Sequence, residues 1–134
     1  MKLIICVDKN KGMLLFGKRQ SRDAALCKWI IEYIDGAKIW MNEYSSDLFE
    51  NAENLFVDES YLTKAQVGDF CFVEQEIHSV SDVEEILLCN WNRKYPADVV
   101  FDFDLKKCGF NKIFAEDIVG NSHEKITIER FVRR

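Results

Sequence analysis

Leu3-Ile4-Ile5-Cys6-Val7 is an unbroken apolar run closed by Asp8-Lys9-Asn10. A strand with one wet face would alternate, so this run predicts a strand buried on both faces, near the middle of a sheet. Lys11 to Gly17 reads as a loop, with Met13, Leu14, Leu15 and Phe16 placed to fold over something. Ser21 is the expected N-cap of the helix that follows, because Leu26, Trp29, Ile30, Tyr33 and Ile34 recur at helical spacing until Gly36 stops them. Shorter signals come next. Lys38 to Met41 predicts a strand, Ser45 or Ser46 can cap a brief helix through Asp47-Leu48-Phe49, and Asn54 to Val57 predicts another strand. One turn of helix is expected around Tyr61-Leu62, and the Gly68-Asp69 turn leads into a strand over Phe70 to Val73. Glu85 to Cys89 adds a fifth. Alternation of strands with helices points to parallel pairing through crossovers. The tail differs: Phe110 to Ala115 and Lys125 to Val132 flank a polar connection containing Gly120, and Ile126, Ile128 and Val132 alternate with Thr127, Glu129 and Arg133. That pattern predicts an antiparallel pair with one wetter face.

No repeat or linker divides the chain, so residues 1–134 are expected to form a single domain. The formal net charge is −5, and no stretch concentrates Lys or Arg. Nucleic acid and anionic membrane surfaces are therefore disfavoured partners. The apolar runs fall far short of the roughly 20 residues that cross a bilayer, and the start does not read as a signal peptide, so a cytoplasmic location is expected. Five cysteines, odd in number and never spaced as Cys-x-x-Cys, read as buried thiols. With two histidines at no ligating spacing, a histidine-built metal site is excluded, although Asp8, Asp23 and Glu74 would converge at one sheet edge. Ser122-His123-Glu124 invites a relay reading, but neighbours on an extended strand face opposite ways. Trp91-Asn92-Arg93-Lys94-Tyr95 mixes aromatic and basic groups, and the simpler reading packs Trp91 and Tyr95 onto the core.

The opening Leu3 to Met13, the segment Glu85 to Leu88 with Asp98-Val99-Val100-Phe101-Asp102-Phe103-Asp104, and the closing Phe110 to Arg133 with Glu129-Arg130-Phe131 together resemble a shortened dihydrofolate reductase. The resemblance spans nearly the whole chain. It implies an α/β fold, a dihydrofolate reductase-like three-layer sandwich with a mostly parallel central sheet and a C-terminal antiparallel hairpin. It also implies that Asp23 stands where the family's pterin-binding acid stands, which makes Asp23 the candidate catalytic residue. At about 100° per residue, Asp23 shares the inward face of its helix with Ile30 and Ile34. The bland role for Asp23 is to cap backbone amides there.

The resemblance fails at the nicotinamide cofactor. Where the family carries a Gly-Arg pair, this chain has Trp40-Met41-Asn42-Glu43-Tyr44-Ser45, and where it carries a Gly-Gly pair at a helix start, Glu74-Gln75-Glu76 follows the strand. Carboxylates there oppose a phosphorylated cofactor by roughly 1 kcal/mol per close pair in water-like screening. Glu74 is expected to cover bare helix-start amides as an internal anion.

Ligands of open α/β sheets gather at the strands' carboxyl ends. Those ends supply Asp8, Asn10, Asn42, Tyr44, Ser45, Glu74 and Gln75, joined by Arg19, Gln20 and Asp23 from the approach to the first helix, with Arg19 expected close to Asp23. The expectation is a protein without folate reductase activity and without a cofactor, binding a small molecule or a protein partner at this edge. The alternative is a divergent NADPH-dependent reductase with an altered cofactor site. No residue pattern selects an oligomeric state.

Overall fold

The computed structural model describes residues 1–134. In chain order the elements are β1 (Lys2–Val7), β2 (Gly12–Leu15), β3 (Lys18–Arg19), α1 (Ala24–Ile34), β4 (Ile39–Met41), α2 (Glu43–Ser46) continued by a 3-10 turn (Asp47–Phe49), β5 (Leu55–Val57), α3 (Tyr61–Lys64), β6 (Phe70–Phe72), β7 (Glu85–Asn90), β8 (Val99–Val100), β9 (Phe110–Ile118) and β10 (Ile126–Arg133).

Seven strands form one sheet in the order β5-β4-β6-β1-β7-β10-β9. The five from β5 to β7 run parallel, and β10 lies antiparallel to both β7 and β9. The β1 run sits centrally, as its unbroken apolar character requires. Its side chains divide by the two-residue period of a strand. Leu3, Ile5 and Val7 enter a core with Met13, Tyr61, Cys71, Phe101 and Phe110 on one face, while Ile4 meets Leu26, Ile30, Phe49, Phe72 and Leu87 on the other. Helix α1 buries Leu26, Ile30 and Ile34, a stripe at intervals of four residues, and each such burial stabilises by about 1.5–3 kcal/mol.

Edge strand β9 is irregular: its register with β10 shifts between Arg130 and Phe131, so Lys112 and Phe114 oppose successive residues and Ile113 is the extra one. A bulge on an edge strand twists away the unpaired ladder that another chain could extend.

Residues 11–17 are not a plain loop. Gly12–Leu15 pairs with β3 and, across the chain, with β8, giving a small antiparallel sheet β3-β2-β8. That sheet puts Met13 and Leu14 into the core and leaves Phe16, at the hairpin tip with φ 51°, 82% exposed.

Two caps also differ from expectation. Asp23 caps α1, since its carboxylate accepts from the backbone N–H of Ala25 and Leu26, whereas Ser21 lies too far upstream to reach them. Asn42 caps α2 by accepting from the Ser45 N–H. Ser45 is inside that turn, and its hydroxyl points to Glu74 instead.

Candidate functional site

At the carboxyl ends of β1, β6 and β7 the expected site residues fall into three separate hydrogen-bonded knots. The first is built on Asp8, which is fully buried. Its carboxylate accepts from the N–H groups of Asn10 and Gly12 at 2.8 Å, from the N–H of Tyr95 at 2.9 Å and from the Gln20 side chain at 3.1 Å. Burial opposes the charge, but those donors outweigh it and hold the Asp8 carboxyl below the ordinary carboxylate range. Only glycine fits at position 12, because a Cβ there would stand 2.7 Å from both Ala97 and the Gln20 amide. Asn10 contributes its backbone alone, and Gln20 Oε1 is buried without a partner.

The second knot joins Arg19, Tyr44, Ser45 and Glu74. Arg19 holds Glu74 with Nε at 2.8 Å and Nη2 at 3.0 Å, lies over the Tyr44 ring at 4.2 Å and donates its backbone N–H to the Tyr44 hydroxyl. The Ser45 hydroxyl donates to Glu74 at 2.7 Å. Arg19 therefore pairs with Glu74, not with Asp23. No helix follows β6, so Glu74 has no helix-start amides to cover, and the pairing cancels most of its expected repulsion of a phosphate. Its effect is instead to occupy space. Gln75, half-buried, stands just outside this knot, and Asn42 is engaged as the α2 cap.

The third knot centres on Asp23 and His123, whose side chains are almost wholly enclosed. Asp23 accepts six hydrogen bonds: from Ala25 N–H, Leu26 N–H, Asn121 N–H, Ser122 N–H, the Ser122 hydroxyl and His123 Nδ1. Burial again disfavours the charge, and the Asn121 and Ser122 amides with His123 overcome it, holding the Asp23 carboxyl well below its ordinary value. An ionised carboxylate can only accept, so the His123 nitrogen facing it carries a proton. On the far side of the ring, Nε2 lies 3.2 Å from the Ser21 hydroxyl and 3.2 Å from the Tyr95 hydroxyl, while Trp91 stacks on the imidazole at 4.5 Å. Gly120 permits the close approach: a Cβ there would meet Asp23 Oδ2 at 2.5 Å.

The three knots leave little room. Arg19, Gln20, Ser21, Glu74 and Trp91 help line a cavity of about 10 Å³, and a second cavity of about 10 Å³ lies between Ser21, Asp23, Glu74 and Trp91. Asp8, Asp23 and Glu74 do not converge, and no three metal-ligating side chains come together. The open concavity is elsewhere, a groove of about 530 Å³ between α1 and the α2 turn. Arg22 and Lys28 line it with Glu32, Asp47 and Glu50, around a floor that includes Cys27, Ile31 and Leu48. Of the ten residues expected to bind a ligand, Asp23 alone borders this groove, while Arg19 and Gln20 border a shallower depression of about 300 Å³ beside Phe16 and Pro96.

His123 was the residue that sequence reasoning missed as a site member. Its apparent neighbours, Ser122 and Glu124, drew attention to the wrong relay. The partners that matter, Ser21 and Asp23, are 102 and 100 residues away. Trp91 and Tyr95 do pack inward, against this same histidine.

This arrangement of a mostly parallel sheet with a C-terminal antiparallel pair and helix α1 packed on one face is the dihydrofolate reductase-like fold. Among solved structures the chain is similar to the dihydrofolate reductase from Enterococcus faecalis complexed with NADP(H) and RAB-propyl, with a TM-score of 0.64 over 99% of this chain and 95% of that one. Identity is 10%, so the likeness carries the fold alone. No family model matches the chain, and no curated protein does either. No helix is long and apolar enough to cross a membrane.

Proposed function

We propose that the chain binds a small polar molecule of mixed charge in the groove between α1 and the α2 turn, and that it does not reduce folates. The observation that carries this reading is the contrast in space: at the strand ends the enclosed cavities hold about 10 Å³ and the open depressions beside Trp91 and Gln20 about 290 and 300 Å³, against about 530 Å³ beside α1. Small-molecule sites are clefts of a few hundred cubic ångströms with a few placed polar groups. A pterin-binding acid must also offer free lone pairs, and the six bonds to Asp23 leave it none in a fitting direction. Two cations among four carboxylates in the groove favour a zwitterion over a dinucleotide.

Titration calorimetry at low salt with NADPH and dihydrofolate tests the negative half, and the expected result is no saturable heat. Low-micromolar binding of either would overturn the reading and revive the NADPH-dependent reductase. The positive half is tested by titrating free amino acids and dipeptides while following backbone amide resonances. Shifts confined to residues 22–32 and 47–51 are expected, and shifts clustered at Asp8, Arg19 or Glu74 would refute the site.

A further inference from the structure

The second small cavity at the strand ends adjoins the groove, since Arg22, Asp23, Cys27 and Leu48 line both. Ser21, a half-buried serine, also lines this cavity, and its hydroxyl reaches His123 Nε2 at 3.2 Å. The opposite ring nitrogen is held by Asp23 Oδ2 at 3.1 Å, and that carboxylate is fixed by four backbone N–H groups. Hydroxyl, imidazole and buried carboxylate in this sequence of contacts form a nucleophile, a base and the group that orients the base, a constellation recognised by geometry and not by chain order.

A purely structural knot explains Asp23, which ties the start of α1 to the loop before β10. It does not need Ser21, which contacts the far nitrogen and lines the small cavity beside the groove. The Tyr95 hydroxyl competes for that nitrogen at the same distance, so Ser21 is activated in the fraction of molecules where it holds the bond.

We propose that Ser21 is an acyl-transfer nucleophile, with His123 as general base and Asp23 orienting the imidazole, and that the chain hydrolyses a small-acyl ester lying in the groove. The substrate position rests on the binding reading above; the nucleophile does not. Ser21 Oγ would attack the ester carbonyl carbon as its proton moves to His123 Nε2. Collapse of the tetrahedral adduct breaks the bond to the alcohol, which leaves with that proton, and an acyl ester remains on Ser21. Water then adds to the acyl carbon, giving its proton to His123, and the carboxylic acid departs as Ser21 regains a proton. Arg22, which lines both the groove and the small cavity, is the cation within reach of this region that would answer the developing oxyanion. The small cavity, at about 10 Å³, has room for about a single water, so the acyl group must lie on its groove side.

The test is incubation of the intact protein with diisopropyl fluorophosphate, followed by intact mass measurement and peptide mapping. Attack of Ser21 forms an O–P bond and expels fluoride, with the proton passing to His123. One adduct per chain, mapped to Ser21 and abolished by Ser21→Ala, is the expected result. His123→Gln should slow labelling by about 100-fold, the usual contribution of a general base. Should His123→Gln fail to fold, the Ser21→Ala comparison and the map decide alone. No adduct, or adducts on Tyr95 or spread over several serines, would overturn the proposal. Because the reagent is small and carries no groove-binding group, its result is independent of whether amino acids bind the groove. Labelling without groove shifts refutes the ligand site alone, and groove shifts without labelling refute the nucleophile alone.

Discussion

The strand ends and the α1 groove meet at Asp23, yet they use charge in opposite ways. At the strand ends each charged side chain is enclosed and answered: Asp8 by four donors, Asp23 by six, Glu74 by Arg19 and Ser45. In the groove the charges remain in water, and the one ion pair there, Arg22 with Asp47 at 3.9 Å, joins side chains that are 62% and 56% exposed. Enclosed charge must be paired or it destabilises, which makes it architecture; exposed charge costs the fold little and is free to meet a ligand.

Asp23 gives the largest expected effect and the sharpest break of the comparison. Asp23→Asn keeps the shape but turns one acceptor into a donor, which faces either the Ser122 amide and His123 Nδ1 or the amides of Ala25, Leu26 and Asn121, so unfolding by denaturant should show a loss of about 3 kcal/mol. A neutral or stabilising change would instead mark Asp23 as a ligand-binding acid whose buried charge is relieved. The same contrast extends to pH. Because the folded Asp23 and Asp8 carboxyls titrate below the unfolded value of 3.8, their stabilisation is complete above that value and disappears as pH falls through the folded values. Stability should decline below about pH 4, and less steeply in Asp23→Asn than in the parent.

Glu74→Gln comes next. The Arg19 and Glu74 side chains are 15% and 8% exposed, so removing one charge leaves a poorly hydrated guanidinium with two of its three hydrogen bonds. A loss of about 2 kcal/mol is expected, smaller than at Asp23 because Arg19 keeps its contact with Tyr44. Replacing both partners, Arg19→Met with Glu74→Leu, should recover most of that loss in a double-mutant cycle, since an apolar pair of similar volume needs no partner. Failure to recover would show that Ser45 and Tyr44 depend on the charges themselves.

Much of this fold is legible along the chain because its main signals are local. The β1 run, the four-residue stripe of α1 and the alternation in β10 each appear within a dozen residues, and each forms the expected element. The β2–β8 pairing was not legible, since its ladder joins Gly12 and Leu14 to Val100 and Val99 and two-residue strands carry no period. The site divides the same way. The carboxylates could be named from their places at strand and helix ends, but their partners could not: Glu74 meets Arg19 at 55 residues' separation and Asp23 meets His123 at 100. Position along a chain locates a charge, whereas long-range contacts decide whether it is consumed by the fold.

Lys28→Ala is the smallest effect on stability and the most informative about the groove. Lys28 lies exposed on α1, in the middle of a helix where Ala is the better helix former, and it takes part in no salt bridge. Thermal unfolding should therefore shift by an amount equivalent to less than about 0.5 kcal/mol. Its removal leaves Arg22 as the groove's one cation against Glu32, Asp47 and Glu50. A zwitterion that uses Lys28 for its carboxylate should bind about tenfold more weakly to the variant, the equivalent of losing roughly 1.4 kcal/mol of charge-assisted hydrogen bonding. A purely cationic ligand should bind as well or better. If amino acids titrate identically into parent and variant, the groove's charges are solvated surface like any other, and the contrast between enclosed and available charge loses its functional meaning.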